Sequence, residues 1–170
     1  ITALRNVKKA VKNKDVKIIS DGGIKFSGDI VKAIASGADA IMMGSIFAGT
    51  EESPGKKFKI KNKYFKIYRG MGSIGAMSAG SSNRYFQKNY KDKSKFVPEG
   101  VEARVEYKGF VANIIYQLQG GLKSSMGYIG AKNLKEIRKN AKFIKITKAG
   151  FYESMVHSVE MIDKNINYKL

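Results

Sequence analysis

Val16-Lys17-Ile18-Ile19-Ser20-Asp21-Gly22-Gly23, carried on through Ser27 to Ala40-Ile41-Met42-Met43-Gly44-Ser45, is the stretch that decides the fold. Val16 to Ser20 reads as a short strand, and Asp21-Gly22-Gly23 as the turn that ends it. Ser27 suits the N-cap of a helix that sets Ile30, Val31 and Ile34 on one face, and Gly37 suits its end. Ala40 to Met43 is a continuous apolar run, the mark of a strand covered on both faces, closed by Gly44-Ser45. Upstream, residues 2–13 place Leu4, Val7 and Val11 at helical spacing. The order helix, strand, helix, strand points to a parallel α/β architecture.

Working outward, the pattern changes after residue 55. Phe58 and Ile60, then Phe65 and Ile67, alternate with polar residues around Lys61-Asn62-Lys63, which predicts a hairpin. Gly70 to Gly80 is rich in Gly, Ser and Met. Residues 81–107 are polar and charged and read as a long loop or flap. Val111, Ile114, Ile115, Leu118 and Leu122 restore helical spacing over 110–122. Asn133 with Glu136 resembles a capping box, Phe143 to Ile146 a short strand, and the tail from Gly150 is irregular. Two parallel strands do not close a sheet, and a (β/α)8 barrel takes about 250 residues over eight strands. The 170 residues therefore read as a cut piece of a domain followed by that domain's end.

Composition narrows the function. Hydrophobic residues make up 43% of the chain, as in globular proteins, and no apolar run is long enough to span a bilayer. The absence of cysteine excludes disulfides and thiol chemistry within this stretch and fits a cytoplasmic origin. A net charge of +18 raises nucleic-acid binding as a possibility. The lysines are spread along the chain, however, so a solvated surface is the plainer reading and nucleic acid a secondary partner. A positive field also suits a phosphorylated small substrate. Ile1, preceded by no Met or signal pattern, reads as an internal start.

Three constellations could carry chemistry. Asp21-Gly22-Gly23 stands at the carboxyl end of a strand, where α/β proteins place ligands. Its carboxylate can accept bonds from two ribose hydroxyls, and its glycines let N–H groups approach a phosphate. Gly44-Ser45 closes the next strand in a form suited to an anion. Either could also be a plain turn with an N-cap. Tyr68-Arg69-Gly70-Met71-Gly72-Ser73 adds a phenol that can donate to phosphate, a Met that can pack on a purine, and two glycines whose backbone groups could face a base. His157, the only histidine, has no second ligand near it in sequence and reads as solvent-facing or hydrogen-bonded rather than metal-bound.

These residues resemble one family. Asp21-Gly22-Gly23-Ile24, Met43-Gly44-Ser45, Glu52-Ser53-Pro54-Gly55, Tyr68 to Ser73, Asn83-Arg84-Tyr85-Phe86 and Val97-Pro98-Glu99-Gly100 follow the order and rough spacing of IMP dehydrogenases, and Gly121 to Tyr128 is similar to their bacterial branch. The resemblance implies the C-terminal part of a TIM (β/α)8 barrel: residues 1–55 its last βα units, 56–73 a hairpin and base-binding loop, 74–107 a mobile flap, and 108–170 the final helices and tail. It implies oxidation of IMP to xanthosine monophosphate (XMP) with NAD, usually by a homotetramer. Asp21 would hold the ribose; Gly23, Gly44, Ser45 and Tyr68 would hold the phosphate; Gly70, Met71, Gly72 and Glu99 would meet the base, and Gly22 and Arg69 would complete the substrate site.

The family's nucleophile is a cysteine on a loop just upstream of the position matching Ile1. The resemblance makes Arg84 the residue that activates the hydrolytic water, assisted by Tyr85. Guanidinium groups as a class keep their proton at ordinary pH, so an Arg that orients water or screens phosphate is the alternative. Ser124, Gly127 and Tyr128 match a segment lining a neighbour's NAD adenosine pocket. Glu153, Ser154 and Met155 match a segment completing a neighbour's potassium site, with Met155 where bacterial relatives often carry His. The stretch alone, lacking its nucleophile and the N-terminal half of the barrel, is expected to be inactive. GMP reductase, of the same superfamily, reads Met-Ser-Ser where this chain has Met71-Gly72-Ser73 and lacks the long flap.

Overall fold

A computed structural model describes residues 1–13, 15–88 and 93–158. In chain order the elements are α1 (Thr2–Ala10), β1 (Ile19–Asp21), α2 (Ser27–Ala35), β2 (Ala40–Met42), α3 (Ser45–Ala48), β3 (Lys57–Ile60), β4 (Lys63–Arg69), α4 (Ile74–Ser78), β5 (Glu102–Glu106), α5 (Val111–Tyr128), α6 (Leu134–Asn140) and α7 (Lys148–Glu153). Short 3₁₀ turns cover Ser81–Tyr85 and Lys93–Lys95. The chain forms two compact units, residues 1–43 with 112–170, and residues 44–111.

In the first unit β1 and β2 pair in parallel, Ile19 opposite Ala40 and Asp21 opposite Met42. The strand starts later than the apolar pattern from Val16 predicts, because Ile18 is tied to the entry of β2 instead. Its N–H donates to the Asp39 carboxylate at 3.0 Å, and its carbonyl accepts from the Asp39 and Ala40 N–H groups at 2.7 and 3.2 Å. Arg138 of α6 donates to the same carboxylate at 2.8 Å and to the Ala38 carbonyl at 2.6 Å. The Ile18 N–H and then the Arg138 guanidinium hold Asp39 below the ordinary carboxylate range. Ile34 of α2 and Ile137 of α6 are buried beside this lock. α2 starts one residue earlier than predicted: Phe26 is the N-cap, and Asp29 accepts from the Lys25 and Phe26 N–H groups, both at 3.1 Å. Gly37 ends it at φ +115°, a left-handed exit that favours glycine.

Several sequence expectations fail in this unit. α5 runs to Tyr128 rather than stopping at 122. Gly120-Gly121 does not break it, because Gly121 lies where a Cβ would run into the Ser27 side chain, so the glycine serves close helix packing. Phe143–Ile146 is not a strand but extended chain, with Ile144 and Ile146 exposed, and α7 forms where an irregular tail was expected. Thr147 caps α7 by accepting the Gly150 N–H at 3.0 Å. The capping box is present in shifted form: Asn133 accepts from Lys135 and Glu136, while Glu136 accepts from Lys132. The run read as a buried strand has Met42 more than half exposed, and Ile19 of β1 is more than half exposed as well.

The second unit is an antiparallel sheet, β3-β4-β5, with α3, α4 and connecting turns. Lys61, at φ +50°, turns the predicted hairpin from Ile60 to Lys63. β5 lies inside the expected flap. Ala103, Val105 and Tyr107 alternate with Glu102, Arg104 and Glu106, a period of two masked by the charges, and Phe65 opposite Glu106 through Arg69 opposite Glu102 set the register. Residues 89–92 of that expected flap, and 159–170 of the tail, lie outside the described residues. The described strands form one parallel pair and one antiparallel sheet of three, with no closed barrel among them. No described helix is long and apolar enough to cross a membrane.

Candidate functional site

In the first unit, the turn after β1 sets Gly22 at φ +89° and Gly23 at φ +76°. A Cβ at either would meet nothing, so the requirement is conformational rather than steric. Both glycines line a groove with Leu4, Ser20, Ile24 and Lys32, while Asp21 stands exposed at the strand's last position. Asp29 lies on the same groove. Burial pushes its carboxyl up, but the Lys32 ammonium at 2.9 Å and the Lys25 and Phe26 N–H groups outweigh that and hold it below the usual range.

The second unit carries an open cavity of about 1280 Å³. Gly44 and the 50–56 loop line it, together with Tyr68 and Arg69 from the end of β4, Met71, and Arg84 from the 3₁₀ turn. Of the residues that sequence points to in this unit, Gly44, Tyr68, Arg69, Met71 and Arg84 share this lining. Ser45, Gly70, Gly72, Tyr85 and Glu99 do not. Tyr85 and Glu99 gather instead around Gly72. A Cβ on Gly72 would stand 3.0 Å from the Tyr85 ring and 3.2 Å from Glu99 Cβ.

The glycine pair does not leave its backbone open as expected from sequence. Gly70 donates to the Val101 carbonyl at 2.9 Å and accepts from the Ser73 N–H, and the Gly72 carbonyl accepts from both Glu99 and Gly100 at 3.0 Å. Gly100 in turn passes so near Ser73 that a Cβ would stand 2.9 Å from its nitrogen. These glycines fold the 70–73 turn tightly against 99–101. What this leaves accessible is Met71, half exposed, whose carbonyl accepts the Ser81 hydroxyl at 2.5 Å. Arg69 reaches the Gly75 carbonyl at 3.3 Å, and the Gly75 N–H donates to Glu102 at 2.7 Å.

The remaining candidates lie elsewhere in the first unit. Ser124, Gly127 and Tyr128 occupy the last turns of α5, with Tyr128 90% exposed. Glu153 ends α7, and Ser154 and Met155 follow, their N–H groups donating to Gly150 and Tyr152 at 3.1 Å. His157 stands 3.3 Å from Glu153 and is exposed, as read from sequence. Among the described residues no cluster of three His, Cys, Asp or Glu side chains could hold a metal. Sequence reasoning missed Thr50, Lys56 and Glu102 on the cavity wall, and missed Lys66, whose ammonium is buried against three loop carbonyls. Nothing in the sequence separates Lys66 from its many exposed counterparts; only its place on β4 beside the loop does.

Residues 1–157 match the pattern described as the IMP dehydrogenase / GMP reductase domain. The chain belongs to the IMP dehydrogenase / GMP reductase family. It is 54% identical to an inosine-5′-monophosphate dehydrogenase of Chlorobaculum parvum over 99% of its length and 34% of that protein's. It is 52% identical to one of Aquifex aeolicus over the same shares. A solved structure of GMP reductase from Trypanosoma brucei in complex with guanosine 5′-monophosphate superposes with a TM-score of 0.79 at 39% identity, over 94% of this chain and 32% of that one. The chain thus spans about a third of the length of the curated relatives it matches.

Proposed function

We propose that the protein carrying this chain oxidises IMP to XMP with NAD, and that this stretch supplies the nucleotide's binding residues and the hydrolytic arginine of a (β/α)8 barrel. The observation that carries the reading is the second-unit cavity. It brings Gly44, Tyr68, Arg69, Met71 and Arg84, drawn from three separate sequence motifs, into one lining. Asp21 would accept from the ribose hydroxyls. Gly22 and Gly23, held left-handed, would turn N–H groups to the phosphate, with Gly44, Ser45, Tyr68 and Arg69. Met71 would pack on the purine, and Glu99, fixed beside Gly72, would accept from the ring. The half-exposed Ile19 and Met42 are the apolar surface that further barrel strands would cover.

The chemistry would split into two steps. A cysteine thiolate from outside this chain attacks C2 of the bound base, hydride leaves, and water hydrolyses the covalent adduct. NAD, when bound, supplies the hydride acceptor. The chain's own share is to fix the nucleotide and to orient water through Arg84, with Tyr85 packed behind Gly72. The residues proposed for NAD fit in kind: Tyr128, 90% exposed on a helix end, offers an open face for an adenine of a neighbouring subunit. A potassium ion fits the Glu153–Met155 segment through main-chain carbonyls, since a helix C-terminus leaves its last carbonyls without helical donors. A cytoplasmic homotetramer completes the proposal.

The full-length protein is expected to produce NADH from NAD in the presence of IMP. The structural likeness to a GMP reductase makes that activity the second reading. Oxidation of NADPH with GMP, and no NADH from IMP, would select it instead.

A further inference from the structure

Lys66 lies in the middle of β4 and is only 3% exposed. Its Nζ donates to the main-chain carbonyls of Thr50 at 2.8 Å, Glu51 at 3.1 Å and Ser53. An ammonium has three protons, and three carbonyls receive them. Three oxygens converging from one four-residue turn are also the kind of donor set that monovalent cations accept in proteins. The turn is held on its other side too: Glu51 donates to the Gly109 carbonyl at 2.9 Å, and Lys108 to the Gly49 carbonyl at 2.8 Å. Just beyond it, Ile67 donates to the Lys56 carbonyl at 3.0 Å, and Gly55 lies where a Cβ would strike the Ile67 carbonyl. The 50–56 loop is thereby fastened to β4 at successive residues. That loop lines the cavity together with Tyr68 and Arg69, the next residues along β4.

We propose that Lys66 is a positioning residue: its ammonium is a built-in monovalent cation that organises the Thr50–Ser53 turn and so sets the cavity wall shared with Tyr68 and Arg69. The proposal rests on the reading that this cavity receives the nucleotide. Removing this buried charge takes the ammonium donor from all three carbonyls and leaves Thr50 only the Ser53 N–H at 3.3 Å, so the turn shifts to find other donors. Arginine is no substitute, because its planar fork does not match three carbonyls converging on a point.

In the full-length protein, Lys66→Met is expected to raise the KM for IMP about tenfold. The NADH burst rate at saturating IMP should stay within about threefold of wild type, since the reacting groups are untouched. Lys66→Ala leaves room for a small amine. Ethylammonium should raise its Tm and bring its KM back toward wild type, while leaving the wild-type and Lys66→Met proteins unmoved. Should Lys66→Met fail to fold, Lys66→Ala purified with ethylammonium carries the same test. An unchanged KM in the variants, or a Lys66→Ala Tm indifferent to ethylammonium, would overturn the proposal. The Tm readout needs no catalysis, so a wild-type protein that binds no IMP would refute the functional reading while leaving this one to its own result.

Discussion

Arg84→Ala in the full-length protein is expected to leave the first turnover of NADH formation near normal and to slow steady-state turnover by about 10²- to 10³-fold. The expectation follows from the role proposed for Arg84 in hydrolysis. The residue is exposed on the cavity wall at the end of the Ser81–Tyr85 turn, carried by a segment whose neighbour Gln87 is clamped to Val97 through two hydrogen bonds, at 2.9 and 3.1 Å. On the proposed function, Arg84 serves the hydrolytic water and not the step that forms NADH. Stopped-flow absorbance separates the two phases. Equal losses in burst and steady state would mean that Arg84 holds substrate rather than water.

The second large effect concerns binding. Asp21→Ala is expected to weaken IMP binding about 10- to 100-fold, the loss of two hydrogen bonds to a charged acceptor. Asp21→Asn should lose less, because it keeps one acceptor oxygen. Titration calorimetry on the full-length protein reads this directly. The groove beside Asp21 is built by glycine conformation at Gly22 and Gly23 rather than by the carboxylate, so the substitution should leave the fold intact. An unchanged Kd would remove Asp21 from the site.

Much of the first unit was legible because its signals are local. The α1 spacing, the paired strands ending at Asp21 and Met42, the Gly37 exit and the Asn133 cap each follow from a few neighbouring residues. The misses have the opposite character. β5 exists because β4 offers it an edge, and its charges hid the alternation of Ala103 and Val105. α5 survives Gly121 because Ser27 comes close to it. Phe143 to Ile146 has strand composition but no strand partner among the described residues. In the site, the residue types pointed to the cavity lining, yet Gly70 and the Gly72 carbonyl turned out to be bonded to neighbouring backbone, and Lys66 was invisible until its carbonyls were located. A sequence shows which groups could bind; long-range pairing decides which of them are free to.

The central proposal is that the turn at Asp21–Gly23, the turn at Gly44–Ser45 and the Tyr68–Met71 segment each carry residues that bind a purine mononucleotide. A crystal structure of the full-length protein with IMP tests it most directly. The account predicts the phosphate within hydrogen-bond reach of the Gly23, Gly44 and Ser45 N–H groups and the Tyr68 hydroxyl, with the ribose on Asp21 and the base beside Met71. IMP bound without contact to those three segments would contradict it.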